Sequence, residues 1–470
     1  MFKDKVRPPI NFIPTLLLFS FLCTLPACDK YLDVNEDPTR VHDANLELLL
    51  PTAIISLSMA HYYSGYRTSF MSHQAINYAG YSREFTNSQL WSKIYLEGIN
   101  NIHVLVETAL TPGEEYAPTY AGIGKIIEAN YLSILTDTWE NIPYSEALQG
   151  SKIIRPSYDT QEQVYSEIQR LLDESLVLLR DNDSPFRPQE DDMVYSGDLD
   201  KWVRLAHALK ARYMLHLSKK TIDWNALFLE IDEGFTSNND NFLLNHTGTR
   251  DINPWTAQSR PLEGVQQFYI SSYFVNLMNG TLYNIWDPRL PIIATLQSGQ
   301  TEYHGTDLFE PWSGTVDFDI DSWYGRLDAP SLMMTYSELK FIEAEAALHV
   351  NDTQRATAAY FEGIDSNMDM LGVAEEDKIA YLNAPEISTV DMEHIMTQKF
   401  LALFLHHEIW TDMRRLDFDP TIFKGFEEPD INGQNTPAQR ALYPKSERMH
   451  NFDNVTANQK GFAEPMWFAQ

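Results

Sequence analysis

The sequence predicts a mainly helical protein that carries one long irregular insertion. Three observations predict it. Apolar residues recur about every 3.6 positions through most of the chain beyond residue 45, the period of one helix face. Residues 235–331 abandon that period and are rich in Asn, Gly, Pro and aromatic side chains. Helix pairs follow one another without the fixed spacing of roughly 34 residues that marks one class of tandem repeat, so the hairpins read as degenerate superhelical repeats.

The chain opens with a leader and a tether. Lys3, Lys5 and Arg7 form a positive start, Phe12 to Leu25 an apolar run, and Leu25-Pro26-Ala27-Cys28 a small-residue end. That is the make-up of a secretory signal over 1–27. The apolar run holds roughly 14 residues, where a bilayer span needs about 20. Asp29 to Ala44 is acidic and turn-rich around Asp37-Pro38, which suits a tether over 28–44. One globular domain is expected over 45–470.

Leu46 to Tyr63 is apolar, with few breakers before Gly65. Leu90 to Leu110 sets Trp91, Ile94, Tyr95, Ile99, Ile102 and Val106 on one face, and Tyr120 to Trp139 is its expected partner. Thr160 and Gln163 make a capping box, in which side chains satisfy otherwise orphaned N–H groups. Asp198 is a natural N-cap for the stripe Trp202, Leu205, Ala206, Leu209, Tyr213 and Leu217. Thr335 to Val350 is rich in small residues, which permits close helix contact, and Thr353 to Leu371 pairs with it. Val390 to Met413 is apolar nearly all round and is expected to be one central buried helix. The insertion over 235–331 is expected to hold short strands on the helical body. Asp417 to Gln470, broken by Pro420, Pro429, Pro437 and Pro444, is expected to be loop.

Charge excludes some partners. With 66 acidic against 35 basic residues the net charge is −31, which argues against nucleic acid and against electrostatic docking on anionic lipid. Cys23 lies in the leader and Cys28 at its end, so a chain matured at Cys28 has no internal disulfide. Stability must come from burial, for which about 440 residues suffice. The 24 Tyr, 24 Phe and 10 Trp suit a binder with aromatic pockets. Beyond Cys28 no apolar run approaches the ~18 residues of a second membrane segment.

Cys28 directly after a small residue is similar to a bacterial lipobox, whose Cys becomes the lipid-modified N-terminus. It is followed by Tyr31-Leu32-Asp33-Val34-Asn35, then by Asp137-Thr138-Trp139-Glu140-Asn141-Ile142-Pro143-Tyr144-Ser145-Glu146-Ala147. Tyr195-Ser196-Gly197-Asp198, Trp202, Ala208-Leu209-Lys210-Ala211-Arg212, Asp287-Pro288-Arg289, the run Tyr336 to Ala346, Gln398-Lys399, Trp410, Arg414-Arg415 and Tyr443-Pro444-Lys445-Ser446-Glu447 come later. This ordered set resembles the SusD/RagB family of outer-membrane nutrient-binding lipoproteins, most closely its SusD-like branch. Glu140-Asn141 stand where the family usually has Gly-Asp. The resemblance implies four tetratricopeptide-like helix pairs (an α-α superhelix) carrying an irregular binding region. It implies a surface lipoprotein held at the outer membrane through Cys28, with no enzymatic activity and no cofactor. It also implies a partner, a SusC-like TonB-dependent outer-membrane barrel that receives a captured oligosaccharide or peptide.

The matched charges, Glu338, Glu343, Glu345, Arg212 and Arg414, fall on apolar helices and are expected to form a core ion-pair network. Glycan capture instead needs flat aromatic faces beside planar donors and acceptors. Two stretches outside helical periodicity offer that mixture. One supplies Tyr78, Tyr81, Arg83 and Asn87, ending near Trp91. The other supplies Trp286, Trp312, Trp323, Tyr324 and Arg326. Asp317, Asp319, Asp321 and Asp328 follow the 1-3-5-12 spacing of a calcium loop, but Ser322 stands where the sharp turn wants Gly and the last ligand is Asp rather than Glu. A solvated acidic face is the expectation there, with a calcium ion as the alternative. His406-His407-Glu408 lacks the H-E-x-x-H spacing that puts two His on one helix face, so no metal site is read from it. A glycoside hydrolase would need two carboxylates about 5–9 Å apart across a cleft, a criterion that 66 acidic residues meet by accident. The alternatives to a nutrient binder are therefore a surface scaffold lipoprotein and, behind it, a hydrolase.

Overall fold

The computed structural model describes residues 45–77, 81–113, 116–180, 186–259, 268–310 and 313–470. The leader, the tether and Cys28 lie outside these residues, as do Tyr78 and Trp312.

The helical body begins with α1 (Leu46–Met71), N-capped by Asn45. The helix does not stop at Gly65. A Cβ there would lie 2.2 Å from the Leu405 carbonyl oxygen, so this glycine marks a backbone contact and not a chain break. After β1 (Ala75–Asn77), α2 (Ser88–Ser92) runs through a π-helical stretch, Lys93–Ile99, into α3 (Asn100–Leu110). Next come α4 (Pro118–Trp139), almost wholly buried, and α5 (Gln161–Leu179), which starts at the expected Thr160–Gln163 capping box. Asp198 caps α6 (Leu199–His216), and α7 (Trp224–Asp232) follows. Consecutive helices pack together: α3 with α4, the partner expected from the sequence, then α4 with α5 and α6 with α7, while α1 packs against both α3 and α4.

Glu140 ends α4 at φ +76°, a conformation that L-residues rarely adopt and that a glycine would take without cost. Its carboxylate compensates by pairing with Arg440, with Lys460 at 2.8 Å and with the Trp467 N–H at 2.7 Å. This Glu ties the end of α4 to the C-terminal tail.

The insertion contains β2 (Phe242–Leu244), β3 (Phe268–Ile270), α8 (Ser272–Met278), α9 (Leu290–Ile293), β4 (Thr295–Leu296), β5 (Val316–Asp317) and β6 (Ser331–Met334). The strands form three two-stranded antiparallel sheets, β1–β3, β2–β6 and β4–β5. In the first, Ala75 faces Ile270 and Asn77 faces Phe268, so the end of α1 is stitched to the insertion. Beyond it lie α10 (Tyr336–His349), paired with α11 (Thr353–Leu371), then α12 (Glu375–Leu382), α13 (Met392–Ala402) and α14 (Glu408–Arg415). Two short helices, α15 (Lys445–His450) and α16 (Phe452–Asn458), interrupt a tail expected to be loop.

Two departures from expectation stand out. Val390 to Met413 is not one helix, because it breaks between α13 and α14, with Leu405 at φ +66°. Gln74 supplies hydrogen bonds that the broken helix gives up. Its Nε2 donates to the carbonyls of Phe400 and Leu403, both at 3.1 Å, and its Oε1 accepts the Leu405 N–H at 2.9 Å. The insertion, in turn, shares a second apolar core with α10, α11, α13 and α14, in which Phe274 and Phe404 have ring centroids 4.5 Å apart. It is built into the body and does not merely sit on it.

The buried charges form the expected network. Arg212 pairs with Glu338 at 2.6 Å, and Arg415 pairs with Glu345 and with Asp412. Glu343 is held by Lys340 at 2.8 Å and Arg355 at 2.7 Å. Arg414 differs. It donates to the backbone carbonyls of Asp137 and Gln439 and lies 3.7 Å from the Trp410 ring centroid.

Candidate ligand-binding cleft

The last turn of α1, strand β1 and the segment 81–86 enclose a cleft of about 270 Å³. Phe70 and Met71 belong to the second core, while Arg67, Asn77, Tyr81 and Glu84 give the lining polar groups. A larger and shallower depression of about 510 Å³ lies near Arg180, Gln189 and Asp198, but no aromatic side chain among the described residues lines it. Flat apolar rings beside polar groups are what sugar faces require, so the smaller cleft is the better candidate.

The outer wall is held from far along the chain. Tyr81 donates its hydroxyl to Glu428 Oε1 at 2.7 Å. Arg83 donates to the backbone carbonyls of Gln434 at 3.0 Å and Thr436 at 3.2 Å. Beneath them the His73 ring packs on Phe426, with centroids 4.7 Å apart. Burial raises the Glu428 carboxyl to about 7, against the opposing pull of the Tyr81 hydrogen bond and the Arg83 charge. Burial lowers His73 to about 4, so it is neutral at ordinary pH.

The second aromatic stretch reaches the same wall from the other side. A Cβ on Gly425 would lie 2.9 Å from Leu282, and Lys424 Nζ stands 4.8 Å from the Tyr283 ring centroid. Just beyond, Trp286 is 46% exposed and meets Tyr303 edge-on at 5.4 Å. Segment 424–428 thus carries Tyr81 on one flank and the 282–286 turn on the other.

Of the other described residues singled out from sequence, all but Arg326 are spent on the fold. Arg83 is buried as the staple just described. Asn87 caps α2 and donates to the Tyr63 carbonyl at 2.8 Å. Trp91 is enclosed by Tyr95, Trp139 and Tyr443. Trp323 and Tyr324 belong to the second core, Tyr324 packing edge-on against Phe404 at 5.2 Å. Arg326 keeps a half-exposed side chain over Trp323 and pairs with Asp328 at 3.1 Å. A signal for Trp91 existed, since it falls on the periodic face of its helix. The acidic run does not converge on one point. Asp317 accepts from Gln297 Nε2 at 3.0 Å, Asp319 accepts from the Asp321 N–H at 3.0 Å, and Asp321 is exposed. Glu428, which closes the wall, was not picked out from sequence, for nothing local marks it.

Stacked helix pairs with an aromatic cleft between distant loops define a binding protein of the helical-repeat class. The SusD-like family model, described as "Starch-binding associating with outer membrane", matches residues 43–444, and the chain belongs to that family. The family is one of non-catalytic binding proteins associated with the outer membrane. No curated protein matches the chain in sequence. Among solved structures, a SusD/RagB family protein of Bacteroides thetaiotaomicron is similar over 91% of this chain and 99% of its own, at 20% identity and a TM-score of 0.73. A SusD homologue of Bacteroides uniformis is similar over 90% and 99%, at 22% identity and a TM-score of 0.72. A chitin-binding SusD homologue of Flavobacterium johnsoniae is similar over 90% and 98%, at 18% identity and a TM-score of 0.72. At these identities the likeness is one of fold.

Proposed function

We propose that this protein is a cell-surface lipoprotein, anchored through acyl chains on Cys28, that captures oligosaccharides and delivers them to a TonB-dependent outer-membrane barrel. The observation that carries this reading is the cleft beside Tyr81, an aromatic and polar hollow in a chain whose family is described as starch-binding. A relative in fold is described as chitin-binding, so a neutral glycan is the favoured cargo. Tyr81 and Trp286 are the aromatic contacts proposed, with Arg326 and the aromatic residues Tyr78 and Trp312 as further candidates. Stacking on one or two rings gives weak holding, and micromolar to millimolar affinity corresponds to roughly 4–8 kcal/mol. Such holding suits release to a transporter.

Calorimetry of the chain from Asp29 onward against malto- and chitooligosaccharides, with a peptide pool as a second arm, tests the cargo. Saturable glycan binding weakened by Tyr81→Ala supports the reading. Binding of peptides alone would replace glycan by peptide, and glycan binding indifferent to Tyr81→Ala and Trp286→Ala would remove the cleft from the account. Co-purification of a barrel protein with the membrane-extracted lipoprotein tests the partner, and palmitate labelling lost in Cys28→Ala tests the anchor.

A further inference from the structure

Three imidazoles meet in the interior where α13 gives way to α14. His61 comes from α1, and His406 and His407 from the turn that interrupts the expected helix. They are 5%, 8% and 3% exposed. A ring nitrogen of each lies within 4.8 Å of those of the other two. The His406 and His407 rings stack with centroids 4.6 Å apart, and His61 lies 5.0 Å from His407.

The hydrogen bonding leaves lone pairs over. His61 Nε2 is 3.0 Å from Asn130 Oδ1, and His406 Nε2 is 3.0 Å from the Met333 carbonyl oxygen. Both acceptors place the proton on Nε2, which leaves Nδ1 as the basic nitrogen. His61 Nδ1 has no hydrogen-bond partner, and His406 Nδ1 has a backbone N–H at 3.3 Å. Neither nitrogen of His407 is hydrogen-bonded, although its Nε2 stands 3.2 Å from Glu408 Oε1, which is itself unsatisfied. A buried polar atom without a partner costs about 1–3 kcal/mol, and here four of them cluster.

We propose that His61, His406 and His407 bind a first-row transition-metal cation of the zinc type, with Glu408 as the nearest carboxylate, which it would share with Arg212 and His216. Imidazole nitrogens suit such ions and not calcium or magnesium. Zinc–nitrogen bonds of about 2.0–2.1 Å set two ligating nitrogens roughly 3.3 Å apart, so loading the site would draw the three rings together. The bonds from His61 to Asn130 and from His406 to Met333 are the outer contacts that orient histidine ligands. Two other cations stand nearby: Arg212, offset by Glu338 at 2.6 Å and by Glu408 at 3.8 Å, and His216, whose Nε2 lies 2.7 Å from Glu408 and whose Nδ1 lies 3.4 Å from Asp137. A bound ion would fasten the α13–α14 turn to α1, joining the two cores.

The test uses the full lipoprotein, extracted in detergent from cells grown with added zinc and carrying an affinity tag free of histidine. Elemental analysis should find about one zinc per chain, falling below about a tenth in His407→Gln and His61→Gln. Cobalt in place of zinc should show the visible bands of a tetrahedral nitrogen site in the unaltered protein. The unaltered protein refolded with zinc should melt several degrees above the same protein refolded with a chelator. If the variants do not fold, the cobalt spectrum and the melting difference decide. Less than about a tenth of an equivalent of metal in the unaltered chain, or metal retained by both variants, would overturn the proposal.

Discussion

Gln74 and Leu405 hold each other in place across 331 positions of sequence: the side-chain oxygen of one accepts the backbone N–H of the other at 2.9 Å. The same amide donates to the Phe400 and Leu403 carbonyls, so one side chain caps the end of α13 and fixes the turn beyond it. Replacing it with Leu, which keeps the bulk and removes the amide, leaves buried backbone groups unpaired. Gln74→Leu should cost about 2–4 kcal/mol, read as a lower urea midpoint with faster amide exchange over 400–407. Unchanged exchange there would mean that the turn is held by something else.

Gly65 lies against that turn. A methyl group there would sit 2.2 Å from the Leu405 carbonyl oxygen, which is backbone and cannot swing away. Although Ala is the better helix former, Gly65→Ala should lose about 3 kcal/mol to overpacking. A melting temperature equal to or above that of the parent would show that α1 can move outward freely.

His216 predicts an alkaline loss of stability. Burial alone would lower its pKa, but the Glu408 charge, with Asp137 beside it, lifts it to about 9. A base raised from 6.5 to about 9 contributes stability that is full below 6.5 and is lost as pH climbs through 9. Unfolding free energy should fall by on the order of 2–3 kcal/mol across that interval. His216→Gln should flatten the profile, and a variant with the parental slope would assign the loss to another group.

Glu428 predicts a loss of the same sign as that of His216, but local and in a lower pH window. An acid raised from 4.5 to about 7 by burial keeps its proton when folded and releases it when unfolded. Its contribution is therefore full below 4.5 and declines as pH rises through about 7. Amides of 423–436, corrected for intrinsic rates, should be better protected at acid than at alkaline pH. In Glu428→Gln the difference should vanish.

Trp91 and Trp286 should behave as opposites. Trp91→Ala empties a packed aromatic cluster and should cost about 3–5 kcal/mol. Trp286→Ala should leave the melting temperature within a degree or two of the parent while weakening glycan binding roughly tenfold, or about 1.4 kcal/mol. Equal effects on stability would contradict the observed difference in exposure.

These contrasts show what could be read from the chain and what could not. Local chemistry announces itself, and the Thr160–Gln163 capping box, the Asp198 cap and the stripe of α6 stand where the sequence predicts them. The break after α13 does not, because an apolar run reads alike in a buried helix and in a buried turn, and the deciding amide sits on Gln74. The aromatic stretches are legible as composition only. Whether a ring stays half exposed, as with Trp286, or is enclosed, as with Trp323, depends on how the surrounding loops pack, which composition does not show. For the same reason, His406-His407 looks inert until His61 is seen beside it.

The bond between Tyr81 and Glu428 spans 347 positions, and this bears on the order in which the molecule comes into being. Synthesis runs from the amino end, so the floor of the cleft is made early and the residue that shuts its rim arrives near the last tenth of the polypeptide. Contacts so remote in sequence form late, after nearer ones have paid for the closing of the loop. Prematurely ended chains should thus keep most of their helices yet grip nothing, and the ability to hold cargo should be among the final properties a newly made copy acquires.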